Sequence, residues 1–157
     1  MVEIGPVLFI IGLLMSLLAV AIGLPAVADL ATGNPDWQVF AGSAGVSLFV
    51  GVGLMLTTRT GMHMHLNLRQ AFLLTSMSWV AVAAVGALPF AFSELDLSVS
   101  DAFFESMSGI TTTGSTVIIR LDFAPPGILL WRALLQWLGG VGIIVMALAI
   151  LPMLSVG

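Results

Sequence analysis

Phe103-Phe104-Glu105-Ser106-Met107-Ser108-Gly109-Ile110-Thr111-Thr112-Thr113-Gly114-Ser115-Thr116 joins an aromatic, serine-rich run to three threonines and a glycine. Just upstream, Ser98-Val99-Ser100-Asp101 is a helix start: serine oxygens cap free N–H groups, and Asp101 suits the positive end of the helix dipole. Gly109 is a natural C-terminal stop. The spacing predicts a helix over about residues 99–109, roughly 15 Å long at about 1.5 Å per residue, or half a membrane. Such a helix cannot cross a bilayer, so its chain must dip in and return.

A bilayer is the setting because the surrounding chain is too apolar for a soluble globule. Of 157 residues, 59% are hydrophobic and 8% charged, and mean hydropathy is +1.16, which leaves too little polar surface to cover a soluble core. Spanning about 30 Å of hydrocarbon takes about 20 apolar residues as helix. Four uncharged runs qualify: Ile4 to Ala28, Trp37 to Thr58, Gln70 to Ser93 and Ala133 to Gly157. The fold class expected is an all-α membrane protein, with two N-terminal transmembrane helices followed by one helix, a re-entrant loop and a closing helix. The expected division is 1–68 for the two-helix region and its following loop, and 69–157 for the helix–loop–helix unit.

Helix one is expected from about Pro6 to Leu30 with Pro25 loosening its last turns, ahead of a Thr32-Gly33-Asn34-Pro35-Asp36 turn. Ala26-Val27-Ala28 has the form of a signal-peptidase site, but only Glu3 precedes a run of 25 uncharged residues, so a retained helix is favoured. Helix two spans about 37–57, helix three about 69–92 and helix four about 128–153. Arg59 and Arg69 flank the second connection, which the positive-inside rule makes cytoplasmic. Both termini then lie in the cytoplasm, and Asp29, Asp36, Glu94, Asp96, Asp101, Arg120 and Asp122 lie outside. Scattered solvated acids are the ordinary reading of that outer group, with Arg120 and Asp122 able to pair. Trp37 and Trp131 lie at helix ends where interface anchoring is expected. Gly42, Gly45, Gly51, Gly53, Gly139, Gly140 and Gly142 would permit close helix approach, and Gly139-Gly140 can also weaken helix four.

Non-helical backbone at membrane depth is tolerated only where protein buries it or it lines a watery cavity. A half-helix ending at Gly109 aims its negative dipole end inward, which favours a cation. Thr111-Thr112-Thr113 favours extended backbone and Gly114 admits φ above zero, so successive carbonyls can turn toward one axis. That is the logic of a filter in which backbone oxygens replace an ion's hydration shell. Threonine hydroxyls can add ligands or tie the loop down. On local composition alone, a Thr/Gly-rich outer turn with no ion competes evenly; the half-length helix favours the filter.

These residues also match a family. Residues 103–114, with Leu121-Asp122, Pro125-Pro126-Gly127, Trp131-Arg132, Gln136-Trp137-Leu138-Gly139-Gly140-Val141-Gly142 and Leu151-Pro152, resemble the first pore loop and second helix of the membrane subunit of bacterial Trk-type potassium uptake systems, in the Trk/Ktr/HKT superfamily. The similarity covers essentially the whole chain and is most specific over residues 99–153. Two helices before the pore unit are similar to the Trk branch rather than the Ktr branch. The resemblance implies potassium transport by a pore of four helix–loop–helix units, of which this chain holds one. It also implies a homodimer with a cytosolic nucleotide-binding regulatory subunit in the inner (plasma) membrane. Thr111, Thr112, Thr113, Gly114 and Ser115 would line one quarter of the filter, with potassium as the only cofactor. Glu105, Ser108, Gly109, Arg132, Gly139 and Gly140 would support it. The chain then looks like the N-terminal portion of a longer protein, unless four copies assemble.

Other classes fare worse. A net charge of −4 with four arginines and no lysine provides no basic stripe for nucleic acid. Without cysteine there is no thiolate site, and nothing near His63 and His65 completes a metal site. Nine methionines form no cluster suggesting copper. An enzyme using Ser106 or Ser108 as nucleophile lacks a nearby base. For Glu105, hydrogen bonding to neighbouring backbone is favoured over raising the local cation concentration. Arg132 can snorkel to the interface or brace the loop. A small structural or assembly membrane protein is the alternative function, and it leaves Thr-Thr-Thr-Gly unexplained.

Overall fold

The computed structural model describes residues 4–59 and 67–154. The described residues form α1 (Gly5–Thr32), α2 (Trp37–Thr58), α3 (Leu68–Gly86), α4 (Leu88–Phe92), α5 (Val99–Ile110), a 3-10 turn (Leu121–Phe123) and α6 (Pro126–Leu154). Four segments are long and apolar enough to cross a membrane: Gly5–Thr32, Trp37–Thr58, Arg69–Phe92 and Pro126–Val145. The first three coincide with runs expected from the sequence; the fourth begins at Pro126, seven residues before the expected run of Ala133 to Gly157, and overlaps it.

Helix ends follow local chemistry. Gly33 closes α1 with φ 74°, and its turn satisfies the carbonyls of Asp29 and Leu30. Pro25 is accommodated inside α1. Asn67 starts α3 through a capping box in which its side chain accepts from the Gln70 N–H while Gln70 reaches back to the Asn67 N–H. The third span is not one continuous helix. Pro89 has no N–H to donate back along the ladder, and the helix breaks at Ala87 before resuming as α4.

Composition alone cannot say which side of these helices packs inward, because both sides are apolar. Close approach decides it. On α1, Val7, Ile11, Met15, Leu18 and Ile22 are buried at helical spacing, while Leu17, Val20, Leu24 and Val27 stay exposed. The α1–α2 crossing brings Gly12 against Gly51: a Cβ on Gly12 would sit 2.6 Å from the Gly51 carbonyl oxygen. Ser47 Oγ seals the same interface by donating to the Met15 carbonyl at 2.7 Å. Gly42, Gly45, Gly53 and Gly140 meet nothing within 4 Å, so the close packing expected of them is absent among the described residues.

α1 packs on α2, α3 and α6, and α5 lies against α3, α4 and α6. Trp131 pins α6 to the end of α3 by donating its indole N–H to the Gly86 carbonyl at 2.9 Å. At 0% exposure it is a core residue, which corrects its expected role as an interface anchor.

Candidate functional site

α5 begins where the sequence placed it. Ser98 Oγ accepts from the Asp101 N–H at 3.2 Å and donates to Asp101 Oδ2 at 2.6 Å. The helix buries a polar face, Glu105, Ser106 and Ser108, and exposes Val99 and Phe104. Polar groups turn inward where the outer surroundings are apolar.

Glu105 is the hub of that face, at 0% exposure. Its Oε1 accepts from Thr116 Oγ1 at 2.6 Å, from the Val117 N–H at 2.5 Å and from the Ile118 N–H at 3.4 Å. Its Oε2 forms an ion pair with Arg132 Nη1 of α6. A buried carboxylate survives when charge and hydrogen bonds both answer it, as here. Glu105 therefore holds the returning strand from behind, and Arg132 braces that hold instead of snorkelling outward. Val117 and Ile118 are contributors that sequence inspection missed. The signal was available: two lone charges inside apolar segments must find each other.

The turn after α5 differs from the expected geometry. The Thr112 N–H bonds to the Gly109 carbonyl and the Thr113 N–H to the Ser108 carbonyl, both at 2.9 Å. This pair is a Schellman stop whose left-handed residue is Thr112, with φ 59°. The helix therefore ends beyond Gly109, at Ile110. Thr111, with φ −80° and ψ 3°, and Thr112 are not extended; their β-branched preference is overridden by the two bonds of the stop. A threonine in the left-handed region is strained. Gly114 has φ 78°, in the region its lack of a side chain permits.

The hydroxyls mostly tie the loop down. Thr111 Oγ1 donates to the Met107 carbonyl at 2.7 Å and lies 2.9 Å from Thr113 Oγ1. Ser108 Oγ donates to the Ser115 carbonyl at 2.6 Å. The main-chain carbonyls of Thr111, Thr112, Thr113 and Gly114, by contrast, accept no hydrogen bond from the described residues. Thr112, Thr113, Gly114 and Ser115 are exposed. Four carbonyl oxygens in sequence on an open turn, at the negative end of a helix, form a surface suited to a cation and to no anion.

α6 backs this turn closely. A Cβ at Gly139 would fall on the Ile110 carbonyl, and one at Gly109 would sit 3.0 Å from Leu135 Cβ. α6 runs helically through Gly139 and Gly140, so the pair does not break it; Gly139 serves contact.

Three charges expected on the outer side differ from expectation. Asp29 and Asp36, read as solvated, are 0% and 2% exposed. Burial raises the Asp36 carboxyl above its ordinary range, assisted by the charges of Glu94 and Asp29 and opposed by the Glu94 N–H. Arg120 does not pair with Asp122; its guanidinium lies 5.3 Å from the Phe123 ring centroid. His63 and His65 lie outside the described residues, among which no group of three or more His, Cys, Asp or Glu could hold a metal.

Comparison with known proteins points one way. The profile of the TrkH family, described as a cation transport protein, matches residues 37–157. The Trk system potassium uptake protein TrkH of Salmonella typhimurium is 44% identical over 149 residues, covering 94% of this chain and 31% of the relative. Trk system potassium uptake protein TrkI of Halomonas elongata is 38% identical over 153 residues, covering 98% and 31%. The crystal structure of the potassium transporter TrkH from Vibrio parahaemolyticus superposes with a TM-score of 0.91 at 40% identity, covering 99% of this chain and 33% of that one. The chain thus spans about a third of the length of the relatives it matches.

Proposed function

This chain belongs to the TrkH family of cation transport proteins, and from that premise we infer that it forms one pore unit of a potassium uptake protein in the inner membrane. Residues 69–157 are the unit: α3 and α4 rise to the outer side, α5 re-enters the membrane from there, and α6 descends to close it. Residues 1–68 are a separate two-helix region. The Thr111–Ser115 turn is one quarter of a selectivity filter, and the other three quarters come from further units of the full-length protein.

The observation that carries this reading is the run of four carbonyls, Thr111 to Gly114, without hydrogen-bond partners among the described residues, on a turn whose Thr112, Thr113 and Gly114 are exposed. Oxygens left open in this way can replace water around a dehydrated monovalent cation. Backbone supplies the ligands, since the hydroxyl of Thr111 is engaged within the loop. Glu105, Ser108, Gly109, Arg132 and Gly139 support the turn from behind. Gly140 has no such contact among the described residues.

Arg59 and Arg69 support a cytoplasmic second connection. Both ends of the chain then face the cytoplasm, and the α1–α2 turn faces out. The relatives' names give potassium as the ion taken up. A homodimer with a cytosolic nucleotide-binding subunit is the expected assembly, and no organic cofactor is needed on this chain.

The test is Gly114→Val in the full-length protein, expressed in cells lacking their own potassium uptake systems. A side chain forced to φ 78° costs about 1–2 kcal/mol and displaces the neighbouring carbonyls. Potassium uptake or potassium/sodium preference should fall at equal amounts of protein in the membrane. If both stay unchanged, the filter assignment fails.

A further inference from the structure

Asp29 and Asp36 flank the α1–α2 turn, and both sit badly for acids. Asp29 lies in the last turn of α1, where the helix dipole repels negative charge. Asp36 directly precedes α2, where aspartate ordinarily caps its own helix, yet it makes no such bond. Both are buried, and each leaves its Oδ2 without a hydrogen-bond partner. Folding tolerates such an unmet oxygen where the other oxygen of the same carboxylate is engaged.

The engaged oxygens reach far along the chain. Asp29 Oδ1 accepts from the Gly127 N–H at 2.6 Å, and Asp36 Oδ1 from the Glu94 N–H at 3.3 Å. Gly127 is the second residue of α6, so its N–H is one that the helix leaves unpaired at its positive end. The unfavourable end of α1 thus meets the favourable end of α6. A Cβ on Gly127 would fall on the Asp29 carboxylate, so the glycine makes room for the acid. Glu94 and Gly127 also bracket the loop: α5, the carbonyl-bearing turn and the 3-10 turn all lie between them.

We propose that Asp29 and Asp36 are positioning residues, by which the two-helix region clamps both rims of the pore loop and fixes where α6 starts relative to the filter turn. The coupling runs through α6: Gly127 is held by Asp29, and Arg132, just over one turn further on, grips Glu105, which holds Val117 and Ile118. The role in selectivity rests on reading Thr111–Ser115 as the filter. The clamp itself does not.

Two measurements on the full-length protein in lipid separate these. Amide exchange in peptides covering Gly127 should rise about tenfold or more in Asp29→Ala, the loss expected for a hydrogen bond to a charged group. Potassium/sodium preference should fall in the same variant, while Asp29→Asn, which keeps an acceptor oxygen, retains both. Gly127→Ala should lower preference, and Asp29→Ala/Gly127→Ala should lower it no further than Asp29→Ala alone, because the methyl enters space the lost carboxylate vacates. Unchanged exchange in Asp29→Ala would overturn the clamp. Faster exchange with unchanged preference, where Gly114→Val does lose preference, would overturn the positioning role alone. If neither variant changes preference, the filter reading falls and the selectivity role with it.

Discussion

Glu105 and Arg132 meet inside the protein as an ion pair, with side-chain exposures of 0% and 9%. One stands on α5 and the other on α6, so the pair joins the helix that presents the turn to the helix behind it. Glu105 also accepts three hydrogen bonds from residues 116–118.

Removing one partner leaves the other charge buried alone, which costs about 3–5 kcal/mol. Glu105→Ala and Arg132→Ala should each lower the melting temperature of the full-length protein strongly. Glu105→Leu/Arg132→Met should recover part of that stability, since replacing a buried pair with apolar groups is often close to neutral while the donors of residues 116–118 lose their acceptor. It should not recover potassium uptake, because Val117 and Ile118 lose their acceptor. Additive stability losses in the double variant would contradict the pairing.

Gly139 and Gly140 are neighbours with opposite surroundings. Gly139→Ala places its methyl on the Ile110 carbonyl, which is backbone and cannot turn aside. Overpacking of this kind costs about 1–3 kcal/mol. Gly140→Ala meets nothing within 4 Å and should gain up to about 1 kcal/mol of helix propensity. Thermal unfolding of the two variants side by side checks this: equal shifts would mean that α5 does not rest on α6 at Gly139.

Burial raises the Asp36 carboxyl above its ordinary value of 3.8. An acid raised in the folded state contributes stability that is complete below the unfolded value and is lost as pH rises through the folded one. Asp36→Asn stays neutral and keeps an acceptor for the Glu94 N–H. Its melting temperature should exceed that of the parent at neutral pH, and the two should converge as pH falls toward 3.8. A gap that widens on acidification would reverse the assignment.

The four spans were legible in the sequence because an uncharged run of spanning length is hard to use otherwise. The start of α5 was legible because Ser98 and Asp101 cap locally, and the backbone of Gly114 because a lone glycine in a threonine run has few other uses. What escaped was either non-local or a contest between local rules. Asp29 and Asp36 looked solvated because their partners, Gly127 and Glu94, lie 98 and 58 residues away. Gly12 went unnoticed because its reason is Gly51 on another helix. At Thr112, β-branching argued for extended backbone, and two bonds to Ser108 and Gly109 won. The Asn67–Gln70 capping box was visible and simply overlooked.

The bonds that bend the chain at Thr112 all lie within residues 107–114. The curve is therefore a property of one short peptide, set before any other unit arrives. If the turn is one quarter of a filter, as proposed, the ring would be laid like an arch from stones already cut: joining them would close the gap between quarters and need not shape any quarter. Under the proposed four-unit filter, damage at one stone would stay in that stone, and four different cuts could change one at a time.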